Sequence, residues 1–262
     1  MWQDIRSVYQ TAWRSAWSLP LLFLISPVVE IAQHVVELRA GMYDSLAGAK
    51  AAADAPLRMI FGFAKVIALT LPGYWLVRLM AFGDPERAAR LERPAIFLWL
   101  VLFALGVAVQ GYTLFGAPVG QVLGLSGQAA TLAGPVLSGL WAIVSIYLTA
   151  WAVAWPLGNR AIGPIRSIGV MAGSFWRTLG YMVACILPLM TLHYGLSYAA
   201  IALTPSWLDW PMLIFDALVV GLLACTMAGS GYIAARSAAA RRKVSLTDKA
   251  NSDCECASER KN

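Results

Sequence analysis

Six stretches of the chain stay apolar for about twenty residues or more, at roughly 18–38, 57–80, 95–115, 132–157, 178–203 and 211–235. A helix rising about 1.5 Å per residue needs about 20 such residues to cross the hydrocarbon of a bilayer. The runs are continuous. A membrane-spanning strand would alternate apolar and polar residues over about ten positions. The pattern therefore predicts an all-α polytopic membrane protein, with six transmembrane helices forming a bundle over residues 18–239.

Two segments outside the spans repeat at helical spacing. In residues 1–17, Trp2, Ile5, Tyr9, Ala12, Trp13 and Ala16 make one face, with Asp4, Ser7, Gln10, Thr11 and Arg14 on the other. Residues 161–177 place Ile165, Ile168, Ala172, Phe175 and Trp176 against Arg166, Ser167 and Arg177. Both are expected as interfacial amphipathic helices on the cytoplasmic side. Both spell Ile-Arg-Ser, at 5–7 and 165–167, and each leads into a span carrying a proline, Pro27 and Pro188. That is a faint mark of duplication. The segment 240–262 has few large apolar residues and is expected as a disordered cytoplasmic tail.

Composition agrees with the pattern. Hydrophobic residues make up 59% and charged residues 13%, and mean hydropathy is +0.65. A soluble enzyme, a disordered chain and a disulfide-built secreted domain are excluded. Cys185 and Cys225 lie in apolar runs, while Cys254 and Cys256 form a C-x-C in the tail. Two thiolates are too few for a closed zinc site. The sequence spells no paired metal-ligand motif and no nucleotide-binding loop, so no cofactor and no metal are expected. No cleavable leader is expected in the first 18 residues, where Asp4, Arg6 and Arg14 interrupt any short apolar run.

Charge sets the orientation. With the N-terminus in the cytoplasm, 15 basic residues fall on inner segments and three (Arg39, Lys50, Arg58) on outer ones. That bias follows the positive-inside rule and predicts both termini in the cytoplasm, in a plasma membrane of the bacterial inner-membrane type. Expected partners are the lipid bilayer, anionic lipid at Arg241, Arg242 and Lys243, and a second copy or another membrane protein. The last would dock on the small-residue faces of spans 4 and 6 (Gly134, Ser138, Gly221, Cys225, Gly229). Nucleic acid is not among them.

Ionisable residues inside spans are the candidate chemistry, because each costs at least about 2.5–3.5 kcal/mol at bilayer depth and so faces the bundle interior. Span 1 carries Glu30, His34 and Glu37 at i, i+4 and i+7, on one helical face. Span 2 carries Lys65, span 5 His193 and span 6 Asp216. Counting from the outer ends puts Glu30, Lys65 and His193 at one level and Asp216 about one turn further out. Glu37 and Arg39 fall near the surface and are expected as solvated rim charges. The cluster Glu30, His34, Lys65, His193 and Asp216 reads either as a binding or proton site in the outer half of the bundle, or as a Glu30–Lys65 pair that fixes helix packing.

From Pro94 to Asn159 there is no Lys, Arg, Asp or Glu. The connection at 116–131 is glycine-rich and reads as a tight outer hairpin or a re-entrant loop. It contains Gly124-Leu125-Ser126-Gly127. A G-x-S-G motif in a six-span chain resembles the rhomboid intramembrane proteases. The resemblance implies Ser126 as nucleophile and His193 as its base. This sequence departs from that family: Ser126 precedes span 4, His193 lies on span 5, and Leu196 stands where a glycine follows the family's base. Three functional readings result: a small-solute or ion transporter or binding protein, a structural or accessory membrane protein, and an intramembrane serine hydrolase.

Overall fold

A computed structural model describes residues 1–203 and 205–247. It is helical, with no strand among the described residues. Six helical segments are long and apolar enough to cross a membrane: Pro20–Arg39, Pro56–Phe82, Arg93–Phe115, Gly127–Ala154, Phe175–Ala202 and Ser206–Arg242. These are the six predicted runs, each within a few residues except at three ends, one of them the last run's start, five residues early. The fourth starts five residues early, and the last continues to Arg242. Residues 240–242 of the expected tail are thus helical, and residues 248–262 of it lie outside the described residues.

The chain divides into two compact units. The first holds Met1–Arg90 and Gly180–Ile233, the second Leu91–Leu179 and Ala234–Asn262.

In the first unit, α1 (Trp2–Ser18) buries Ile5, Val8, Ala12 and Ser15. That face is turned from the one read in the sequence. Trp2 and Trp13 point outward, and Val8 and Ser15 point inward, because the buried stripe meets helices rather than a lipid surface. Tyr9 donates its hydroxyl proton to the carbonyl of Ala184 at 3.0 Å, and Tyr181 donates to Asp4 at 2.6 Å. Ser15 Oγ lies 3.1 Å from Cys225 Sγ. Ala184, Tyr181 and Cys225 belong to α11 (Phe175–Ala202) and α12 (Asp209–Arg242), so α1 is docked on both.

Helix α2 (Pro20–Arg39) inverts the usual amphipathic rule. Its buried residues are Ser26, Pro27, Glu30, Gln33, His34 and Glu37, while Leu21, Leu24 and Val28 are exposed. In water such a helix would turn the other way. An apolar solvent permits polar groups inside and apolar groups outside. A short α3 (Leu46–Ala52) follows, with the Ser45 hydroxyl accepting from the Gly48 backbone at its start.

The second span is two helices, α4 (Pro56–Thr70) and α5 (Gly73–Phe82). Pro72 lacks an N–H and ends the ladder of α4. Ser26 donates across to the carbonyl of Ala68 at 2.9 Å, tying α2 to α4. Asp84 caps the short α6 (Pro85–Ala89), its carboxylate accepting from the Glu86 N–H at 3.0 Å. Arg78 is fully buried, with its guanidinium about 5 Å from the Tyr74 and Phe82 rings and donating to the carbonyl of Arg87. Cation–aromatic contacts of this kind gain strength when desolvated. On α12, Gly221 is met by Pro27 and Phe23 of α2. A Cβ there would stand 2.8 Å from the proline ring and 2.9 Å from the phenyl ring.

The second unit contains α7 (Arg93–Phe115), a single turn α8 (Val119–Val122) and α9 (Gly127–Ala154). Gly120 of α8 abuts the backbone of Ala130, leaving no room for a side chain. Helix α10 (Pro164–Met171) is shorter than the expected 161–177. Phe175, Trp176 and Arg177 instead open α11, because the chain turns at Gly173 with φ +75°. Ser167 of α10 inserts its hydroxyl into the α9 ladder. It donates to the carbonyl of Tyr147 at 2.8 Å and accepts from the Trp151 N–H at 3.0 Å. Those two groups would otherwise bond each other, four residues apart. Arg241 and Arg242 donate to the carbonyls of Gly173 and Ala172, just past the end of α10.

Candidate functional site

The polar stripe of α2 is the floor of the candidate site, and every member lies in the first unit. Glu30, His34 and Glu37 come from α2, Arg58 and Lys65 from α4, His193 from α11 and Asp216 from α12. Tyr43 comes from the turn after α2, packed beside Ala200 and Leu213.

These groups bond in a continuous chain. Lys65 donates to Glu30 Oε1 at 2.8 Å and lies 3.2 Å from His193 Nε2. His193 Nδ1 is 2.7 Å from Asp216 Oδ1. Asp216 Oδ2 is 3.1 Å from His34 Nε2, and His34 Nδ1 is 3.1 Å from Glu37 Oε2. Glu37 also accepts from Gln33 at 2.8 Å, from Tyr43 at 2.9 Å and from Arg58 at 3.0 Å.

Proton placement follows from the partners. Each ring nitrogen of His34 faces a carboxylate, which only accepts, so the ring serves both neighbours as a doubly protonated imidazolium. His193 faces a carboxylate at Nδ1 and an ammonium at Nε2. Three carboxylates (Glu30, Glu37, Asp216) then meet three cations (Lys65, His34, Arg58), and the cluster is neutral as a whole.

Access is graded. The side chains of Glu30 and Asp216 are 1% and 0% exposed, against 18% for Lys65 and 28% for Arg58. Two acceptor atoms in this interior, Glu30 Oε2 and Gln33 Oε1, have no hydrogen-bond partner. Buried polar atoms nearly always have one, so these two acceptors are the exceptions in the network. Tyr43 is buried, and that burial, with the Glu37 charge beside it, holds its phenol well above the ordinary tyrosine value.

The structure brings together all five residues singled out in the sequence: Glu30, His34, Lys65, His193 and Asp216. It corrects the reading of Glu37, which is 3% exposed and at the centre of the network. The chain after α2 folds back, and Tyr43 and Arg58 cover it. Sequence reasoning also missed Gln33, Tyr43 and Arg58. Gln33 and Glu37 continue the helical face that Glu30 and His34 define, so their spacing carried the signal. Tyr43 and Arg58 sit in and after a loop whose path no periodicity gives.

For the serine-hydrolase reading, Ser126 is exposed at the start of α9. Both ring nitrogens of His193 are taken, by Asp216 and Lys65, and neither is left to act as its base. The small-residue face of span 6 is covered within the first unit, Gly221 by Phe23 and Pro27, Gly229 by Val8 and Cys225 by Ser15. Comparisons of the chain with protein-family models, with curated proteins and with solved structures find no match.

Proposed function

We propose that this chain is a multi-pass membrane protein that binds a proton or small cation at the buried cluster and exchanges it with solution at one membrane face. One observation carries the reading. Ionisable groups are bonded without a gap from the half-buried Lys65 and its buried partner Glu30, through His193, Asp216, His34 and Glu37, to the partly exposed Arg58. A device for packing two helices needs one ion pair. Charges well inside the spans, such as Glu30, Lys65 and Asp216, each cost about 2.5–3.5 kcal/mol or more at a helix centre, and a bonded chain of them points to a path for ions.

Neutrality of the cluster adds a rule. A balanced interior takes up a further cation only by giving one up, so binding is exchange. Lys65 and His193 are the contact at which a proton changes owner, since the ammonium and the imidazole nitrogen face each other directly. With the positive-inside orientation, the Arg58 end opens outward, α1 lies on the cytoplasmic side, and the membrane is a bacterial inner membrane.

The test is proton flux. Purified protein is reconstituted into vesicles containing a trapped pH-sensitive dye and given a pH step. Wild type is expected to collapse the gradient faster than empty vesicles. Asp216→Asn, with the elution profile of wild type, is expected to match empty vesicles. A wild-type rate equal to that of empty vesicles overturns the reading.

A further inference from the structure

Resting on that reading of the cluster as an ion site, we infer that the ion it exchanges for protons is a divalent transition-metal cation, with Zn²⁺ as the type. It is held by Glu30, His193 and Asp216 with His34 as fourth ligand, beside the Lys65 ammonium, which gives way to it.

Geometry is the first support. Glu30, His193 and Asp216 each offer a ligand atom within 4.8 Å of the others. His34 Nε2 joins them, 3.1 Å from Asp216 Oδ2 and 3.5 Å from Glu30 Oε1. A tetrahedral metal with bonds of about 2.0–2.1 Å has ligand-to-ligand edges of about 3.3 Å. The two His34 edges lie close to that value and the other three donors fall within 4.8 Å of one another, on three helices.

A cation already sits against two of the donors. Lys65 reaches Glu30 and His193 with one ammonium. Glu30 Oε2 is buried and has no partner, so the site holds a carboxylate oxygen that the single charge of Lys65 does not use. A divalent ion would use it.

Donor chemistry names the class. Two imidazole nitrogens and two carboxylate oxygens suit zinc and its first-row neighbours. Ca²⁺ takes six to eight oxygens, and Mg²⁺ keeps several waters. The far nitrogen of His34 rests on Glu37, which is held in turn by Tyr43 and Gln33. A carboxylate behind a ligating histidine is the usual way to fix its ring toward a metal.

Charge accounting closes. To ligate through Nε2, His34 gives up a ring proton. Lys65 loses its ammonium proton or carries its charge out along its exposed side. One divalent cation enters, and two positive charges leave the cluster, which stays neutral.

The experiment is Zn²⁺ titration of the full-length protein in detergent, followed by calorimetry and a pH indicator in weak buffer. It is done on Cys254→Ser/Cys256→Ser so that the tail thiols do not contribute. The expected result is one Zn²⁺ per chain, one to two protons released per metal, and a melting temperature that rises with Zn²⁺. His193→Ala and Asp216→Asn should lose the binding. Lys65→Met should bind about tenfold more tightly or better, since it removes the competing cation, and a misfolded variant would not gain affinity. The inference is overturned if neither the parent protein nor Lys65→Met binds, or if His193→Ala binds as the parent does. If Zn²⁺ fails to bind while the vesicles still collapse a pH gradient, the metal inference falls and the proton reading stands. If both fail, both fall.

Discussion

Tyr43 donates its hydroxyl proton to Glu37 at 2.9 Å, with the His34 ring nitrogen 3.0 Å from the same oxygen. Both side chains are buried, and the contact closes the end of the polar stripe nearest Arg58.

That relationship has a pH signature. Folding holds the Tyr43 phenol above its ordinary value, first through burial and then through the Glu37 charge. Its stabilisation is therefore complete below the unfolded tyrosine value of about 10 and is lost as pH rises above it, by about 1.4 kcal/mol per pH unit. Tyr43→Phe lacks the proton. It should be about 1–2 kcal/mol less stable than wild type at pH 8, and the gap should narrow between pH 10 and 11. Unfolding in detergent at these pH values measures it. A gap that stays constant across pH 10 contradicts the assignment.

The six spans were legible because apolar length is a direct requirement of the bilayer. The level of Glu30, Lys65 and His193 was legible because antiparallel helices share a common ruler. Asp216, one turn nearer the Arg58 end, meets His34, which is one turn nearer that end than Glu30. What was not legible depends on chain reversal. Glu37 is near a helix end, and only the fold-back of Tyr43 and Arg58 tells that it is dry. On α1 the apolar face read from the sequence holds Trp2 and Trp13, while the side that packs on helices is set by Val8 and Ser15, which fit against Gly229 and Cys225. Pro72, which lacks an N–H, stands at the break between α4 and α5.

Gly221 sets how closely α12 approaches α2, and hence where Asp216 stands relative to His34. Gly221→Ala puts a methyl within 2.8 Å of the Pro27 ring. Overpacking of this kind costs about 1–3 kcal/mol. The variant should melt lower than wild type and conduct protons more slowly. Gly134 has nothing within 4 Å, so Gly134→Ala should change neither. Paired melting and flux measurements on the two variants test this, and equal effects would contradict it.

Orientation is open to chemical labelling. On a Cys254→Ser/Cys256→Ser background, Trp207→Cys and Ala89→Cys place thiols at exposed positions at opposite span ends. A membrane-impermeant maleimide should label Trp207→Cys in intact cells and Ala89→Cys only after the membrane is opened. The reverse pattern would place the Arg58 end of the cluster toward the cytoplasm.

The most direct measurement removes both charges of the Lys65–Glu30 pair and keeps their shapes, with Glu30→Gln, Lys65→Met and the two together. Each single change strands a buried charge. It should cost stability toward the lower end of about 3–5 kcal/mol, since Lys65 is 18% exposed. The double variant should recover most of that loss. The account predicts that this refolded, well-packed double variant no longer collapses a pH gradient in vesicles that wild type collapses. A double variant that regains stability and also conducts at the wild-type rate would make the pair a packing device and contradict the proposed exchange.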